Sequence, residues 1–260
     1  LFGLTLNNVE LGENRTKQLC TELSNTAIQN LSLSRVKLSH ISMSTFQGLQ
    51  GTNLTILNLS QNSLSSIEDR SFQWLSNLQY LNLKNTNIHL SSHLFYGLSS
   101  LKHLTLINSV TGKVEDFSFR WLYKLEYLIM DNSNFPGITA NTFTGLNNLK
   151  YLSLSNCNIN LQRITNKTFS SLANSSLQVL NLTKTRISTI GGEAFSSLGQ
   201  LKILDLGLNE ISQELTGHEF KGLNNIQDIY LSYNKNLTLQ SKSFIFVPSL
   251  RKLMLRKVGR

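Results

Sequence analysis

The sequence predicts an α/β solenoid: a horseshoe with a parallel β-sheet on its concave face and an irregular, short-helical convex side. Three observations predict it. An eleven-residue pattern recurs through all 260 residues, and its clearest copy is 54–64, LTILNLSQNSL. Its copies start at Leu1, Ile28, Leu54, Leu78, Leu101, Leu125, Leu149, Leu177, Leu201, Ile226 and Leu250, spaced 23 to 28 residues apart. A phenylalanine then recurs at one fixed place per copy: Phe46, Phe72, Phe95, Phe119, Phe143, Phe169, Phe195, Phe220 and Phe244, with Leu19 heading the column.

Leucines at the first, fourth, sixth and eleventh places, with Asn at the ninth, form the leucine-rich repeat signature. In order along one copy, the alternation Leu57, Asn58, Leu59, Ser60 predicts a short strand with one face inward. At the ninth place the chain leaves the strand, and its backbone groups lose their partners inside the coil. A buried amide can both donate to and accept from them. That place holds Val9, Val36, Asn62, Thr86, Ser109, Ser133, Cys157, Thr185, Asn209, Asn234 and Val258. Ser, Thr and Cys offer a weaker bond there and Val offers none, so the Val-bearing turns are expected to rely on water. The Phe column predicts a stacked aromatic spine under the convex side. A second apolar column follows it closely: Leu23, Leu49, Leu75, Leu98, Leu122, Leu146, Leu172, Leu198, Leu223 and Val247. No repeat buries both faces alone; stacking supplies the core. Two units are longer, and residues 12–17 and 160–168 are expected to be surface bulges. The whole of 1–260 reads as one solenoid segment of ten to eleven repeats lacking both caps, a piece of a larger chain with apolar edges at each end.

The formal net charge is +9, which favours anionic partners or plain solubility. The basic residues are scattered except near the end, at Arg251, Lys252, Arg256 and Lys257. No apolar run approaches the ~20 residues that span a bilayer, and no signal peptide is visible. Cys20 and Cys157 show no pairing pattern, and no metal-ligand spacing or cofactor motif exists. No catalytic constellation is found: no phosphate-cradling glycine loop, no zinc motif, no nucleophile elbow. The chain is therefore read as not an enzyme. His40, His89, His93, His103 and His218 stand apart and read as surface residues that gain charge below about pH 6.5.

The third-place column points outward from the concave sheet and contains Tyr80, His103, Tyr127 and Tyr151 in succession. Cross-strand packing is the favoured reading of this strip, over a ligand platform. Asn-x-Ser/Thr sequons make Asn14, Asn30, Asn53, Asn58, Asn166, Asn174, Asn181 and Asn236 glycosylation candidates. Asn58 and Asn181 are fifth-place residues facing out from the concave sheet. Glycans there would deny that surface to a large ligand and direct it to a lateral face or the ends.

Six stretches go beyond the repeat consensus: 116–122 (DFSFRWL), 143–156 (FTGLNNLKYLSLSN), 180–184 (LNLTK), 204–217 (LDLGLNEISQELTG), 229–235 (IYLSYNK) and 247–258 (VPSLRKLMLRKV). They closely resemble Toll-like receptor ectodomains, and the resemblance covers essentially the whole chain. It implies a glycoprotein receptor of innate immunity and the inflammatory response, resident in the endosome lumen, that senses double-stranded RNA. It implies that RNA lies along a glycan-poor lateral face and that two copies pair as a homodimer on one duplex. It implies RNA contacts, acid-sensing histidines among them, in the first and last repeats of the receptor. The chain resembles the middle of the horseshoe, so no RNA site is assigned, and the basic cluster is the sole candidate. The membrane anchor and cytoplasmic signalling domain implied by the resemblance lie outside this soluble segment. Where comparable receptors carry an inserted loop before the Phe of the Leu101 repeat, only 109–113 (SVTGK) intervenes here. The alternative is an extracellular leucine-rich repeat adhesion or matrix protein that binds another protein.

Overall fold

The alternation in each repeat becomes a strand. In the computed structural model, which describes residues 2–259, eleven parallel strands form one sheet. They are β1 (Gly3–Asn7), β2 (Asn30–Ser34), β3 (Ile56–Asn58), β4 (Tyr80–Asn82), β5 (His103–Thr105) and β6 (Tyr127–Ile129). Then follow β7 (Tyr151–Ser153), β8 (Val179–Asn181), β9 (Ile203–Asp205), β10 (Asp228–Tyr230) and β11 (Lys252–Met254). Each strand pairs with its neighbours in chain order. The register sets equal repeat places side by side, Leu57 against Leu81 and Leu104 against Leu128. Inward leucines such as Leu57, Leu59, Leu81 and Leu83 are fully buried, whereas Leu4, Leu6, Leu253 and Leu255 at the two ends are only partly so.

The phenylalanines form the expected spine. From Phe46 to Phe195, neighbouring rings lie 5.9 to 6.4 Å apart with planes 13° to 18° from parallel. Burying each ring contributes about 1.5–3 kcal/mol, and each contact adds roughly 0.5–1.5 kcal/mol. Phe220 and Phe244 form a second stack at 5.8 Å. The change of stack coincides with the 3₁₀ turn His218–Phe220, entered through Gly217 at φ 100°.

A polar column beside the spine escapes the sequence reading. The residue before each Phe is often a buried hydroxyl: Thr45, Ser71, Ser118, Thr142, Thr168 and Ser243. Thr142 Oγ1 accepts Thr139 N at 2.9 Å, and Ser243 Oγ accepts Gln240 N at 2.7 Å while donating to Leu215 O of the preceding repeat at 2.7 Å. Glu219 takes the same place, accepting from Thr216 N and Gly217 N. Backbone amides that leave a strand beside the spine lose their ladder partners, and these side chains supply new ones.

Two expectations are corrected. Residues 12–17 are not a surface bulge; they open the helix α1 (Gly12–Glu22), which buries Thr16 and Cys20. These two and Leu23 follow helical spacing, but Thr and Cys carry a weak apolar signal. Cys20, not Leu19, is the fully buried residue there. Glu13 ties the helix to the next repeat through Ser42 N at 3.1 Å and Thr45 Oγ1 at 2.9 Å. A Cβ on Gly48 would lie 2.5 Å from Thr21 N, so only glycine permits this approach. Residues 160–168 are likewise ordered, with Arg163–Ile164 pairing in parallel with Thr189–Ile190. The short segment 109–113 lies mostly in a strand, Val110–Val114, that pairs with Ile88–Leu90 across a register shift.

The Val-bearing turns are corrected too. Asn62 reaches back one repeat: its Oδ1 accepts Val36 N at 3.0 Å and Leu38 N at 3.2 Å. Its Nδ2 donates to Leu33 O at 2.8 Å and to Leu59 O in its own repeat at 2.9 Å. Val36 needs no water because the next repeat serves its turn. At Val9 the backbone substitutes, Leu11 N donating to Val36 O at 3.0 Å.

Candidate ligand-facing surfaces

The outward third-place residues bring Tyr80, His103, Tyr127 and Tyr151 together on four adjacent strands. His103 and Tyr127 stack face to face at 4.5 Å and 3°, while Tyr80–His103 and Tyr127–Tyr151 are tilted contacts at 6.0 and 6.2 Å. Parallel register forces these contacts, because equal places on neighbouring strands stand about 4.8 Å apart. Beside the strip, Lys150 and Glu126 pair at 2.7 Å. That hydrogen bond, and then the charge itself, holds the Glu126 carboxyl below its usual value and raises Lys150.

The sequons fall on different sides. Asn58 and Asn181 end β3 and β8 on the same open face as the strip, and Asn30 opens β2 at the third place. Asn14 lies on α1, Asn53 and Asn174 on segments leading into strands, Asn166 before Phe169 and Asn236 after β10. Asn58 and Asn181 are half-buried; the other six are exposed.

The basic cluster does not converge on one point. Arg251 precedes β11 and Lys252 begins it, while Arg256 and Lys257 follow it, so the two pairs flank the strand. All four are exposed. Lys252 Nζ lies 5.0 Å above the Tyr230 ring and bonds its hydroxyl at 3.1 Å, which raises its pKa; Lys257 Nζ lies 5.4 Å from the Tyr233 ring.

The histidines remain dispersed: only His89 and His93 share a repeat. His40 meets Ser66 Oγ at 2.5 Å, His93 Nε2 faces Arg120 Nη2 at 2.7 Å, and His218 packs 5.2 Å from Phe246. Among the described residues, no three His, Cys, Asp or Glu side chains could jointly hold a metal ion. Among the described residues, no helix is long and apolar enough to cross a membrane.

The turn side of the sheet carries a feature the sequence reading missed. Asn85, Asn108, Asn132 and Asn156 occupy the eighth place at φ 52° to 58°, a left-handed backbone that Asn tolerates. Their amides join in pairs, Asn108 to Asn85 at 3.0 Å and Asn156 to Asn132 at 2.6 Å, and Asn158 bonds Asn134 at 3.0 Å beside them. Next to this array a polar trough of ≈ 770 Å³ is lined by Asn158, Asn160, Gln162, Arg186, Ser188 and Glu210. The recurrence of Asn at one repeat place was its signal in the sequence.

An eleven-stranded parallel sheet, stacked phenylalanines beneath it and back-reaching amides, recurring every 23 to 28 residues, define the class, and the chain belongs to the leucine-rich repeat family. The family model described as leucine rich repeat matches residues 26–88, 52–110, 107–159, 157–211 and 175–235. More particularly, the chain is similar to Toll-like receptor 3: 57% identical to the proteins of Boselaphus tragocamelus and Bos taurus and 55% to that of Homo sapiens. Each match covers 100% of this chain, which spans 30% of the relative's length. The bovine alignment runs over 269 positions against 260 residues here, so at least nine positions of the relative have no counterpart. The fold is also that of a crystal structure of a TLR13–ssRNA13 complex, with TM-score 0.67 and 24% identity over 99% of this chain and 44% of that one.

Proposed function

We propose that the chain is the middle span of an RNA-sensing receptor ectodomain, facing the endosome lumen in a membrane-anchored receptor that pairs as a homodimer on double-stranded RNA. Similarity to Toll-like receptor 3 along the whole chain carries this reading. In it the segment is a rigid spacer. Ten steps of about 4.8 Å between strands set roughly 48 Å of arc between RNA contacts on the flanking repeats. Arg251 and Lys252 at the start of β11, with Arg256 and Lys257 after it, are this span's candidates for phosphate contact.

The test is duplex RNA binding over a salt series. The full ectodomain is expected to bind more tightly at acidic than at neutral pH, with a steep salt slope, and residues 1–260 alone to bind weakly. Replacing the four basic residues by Gln is expected to flatten the full ectodomain's slope by up to about 4. Tight, salt-resistant binding by residues 1–260 at neutral pH would count against the spacer role. Indifference of the full ectodomain to duplex RNA would remove the RNA reading.

A further inference from the structure

We propose that the tyrosine strip is a shelf for the chain's own carbohydrate: an N-linked glycan on Asn181 lies back across Tyr151 and Tyr127. The inference rests on the luminal reading above, since N-glycans are added only on that side of a membrane. Its basis is register. Asn181 stands opposite Ser153, and Val179 opposite Tyr151. Tyr151 is therefore the diagonal neighbour of Asn181 on the same face, about 8 Å away for one strand step and two residues along. Tyr127 stands opposite Tyr151 on the next strand.

The asparagine is suited to attachment in this direction. Asn181 Oδ1 is fixed by Thr183 N at 3.0 Å and Thr183 Oγ1 at 2.7 Å, while its Nδ2 has no hydrogen-bond partner among the described residues. A fixed carbonyl and a free nitrogen orient the first sugar without a competing contact. The strip matches what a pyranose presents. Its C–H face is apolar and faintly positive, and aromatic faces are apolar and negative. His103 covers one face of the Tyr127 ring at 4.5 Å, and the residue is 37% exposed, so a sugar meets its edge and its side towards tilted Tyr151. The same logic separates the two sequons on this face. Asn58 stands in mirror relation to Tyr80, yet its Nδ2 donates to Ser32 Oγ at 3.1 Å, on the strand away from the strip. A glycan on Asn58 is directed over β2, and only that on Asn181 reaches the shelf.

The test uses the full-length protein containing this chain, expressed in mammalian cells and analysed by site-specific glycopeptide mass spectrometry. Release by peptide N-glycosidase is timed on the folded protein. The Asn181 glycan is expected to be released about five-fold more slowly than the one on exposed Asn174. Tyr151→Ala combined with Tyr127→Ala is expected to abolish the difference, and Tyr151→Phe with Tyr127→Phe to retain it. Tyr80→Ala is expected to leave release from Asn58 unchanged. Equal release at Asn181 and Asn174 in the unmodified protein would overturn the shelf, as would an unoccupied Asn181 beside occupied Asn53, Asn174 and Asn236. The phenylalanine pair matching the alanine pair would overturn it as well. Absence of glycan from every sequon would instead overturn the luminal reading, and the shelf with it.

Discussion

Turns that carry Asn at the ninth place and those that do not solve the same problem by different means. At Asn62 and Asn209 one side chain serves two repeats. Asn209 accepts Thr185 N at 2.9 Å and Ile187 N at 3.1 Å, and donates to Leu182 O at 2.8 Å and Leu206 O at 3.0 Å. Between Thr86 and Cys157 the side chains do less. Ser109 Oγ donates to Leu83 O at 2.5 Å, and Cys157 Sγ reaches Met130 O at 3.1 Å. There the backbone supplies the rest, with Ile88 N on Ser109 O at 2.6 Å, Gly112 N on Asn134 O at 2.9 Å and Asn158 N on Ser133 O at 2.9 Å. Thr111, Asn134 and Asn158 extend this as parallel bridges. The requirement that buried amides be paired is constant; the partner is a side chain in one region and a second ladder of backbone in the other.

If this contrast is right, deletions should cost most where the side chain carries the turn. Asn62→Ala strands four buried partners and is expected to destabilise by about 3–5 kcal/mol in urea unfolding. Asn209→Ala strands the amides of Thr185 and Ile187, while Leu182 O and Leu206 O keep donors in Thr185 and Asn234, and is expected to cost about 2–4 kcal/mol. Hydrogen exchange should accelerate first at Val36 and Leu38 or at Thr185 and Ile187. Asn62→Ser retains one donor and one acceptor and should cost about 2 kcal/mol; a negligible loss would break the contrast, since a hydroxyl would then serve as well. Ser109→Ala is expected to cost about 1 kcal/mol, because the backbone bridges remain. A loss matching that of Asn209→Ala would show that the hydroxyl, not the bridging, holds that region.

The smallest effect at neutral pH is at the thiols. Burial pushes both Cys20 and Cys157 up to about 12, so neither should react with a disulfide reagent at pH 8 until the protein unfolds, when both should. The sign of the pH dependence follows. Above the ordinary value of 9.0 the unfolded chain loses its thiol protons while the folded one keeps them. Stability therefore falls as pH rises from 9 towards 12, by up to about 1.4 kcal/mol per pH unit for each thiol. Cys157→Ala should flatten that fall relative to the unsubstituted protein.

The sequence showed the repeat starts, the Phe column and the outward Tyr80–Tyr151 strip, because each is a residue type recurring at one place. It hid whatever depends on the neighbouring repeat. Val36 looked unserved because its partner, Asn62, lies 26 residues on. The helix α1 looked like a bulge because its buried face is Thr16 and Cys20 rather than leucine. The lateral amide pairs left a trace, Asn at the eighth place of four successive repeats, but a surface Asn reads as ordinary until another Asn is stacked beside it. The basic residues from Arg251 to Lys257 looked like one cluster, and the strand between them divides it.

By itself, the sequence determined the period, the inward and outward faces and the positions of the sequons, since side-chain alternation and repeat spacing are local properties of the chain. Tertiary structure decided which repeat satisfies which turn, which asparagine nitrogen is free and which aromatic rings lie within reach of it. Those depend on parallel register, which sets residues about 24 apart in sequence beside one another at strand spacing.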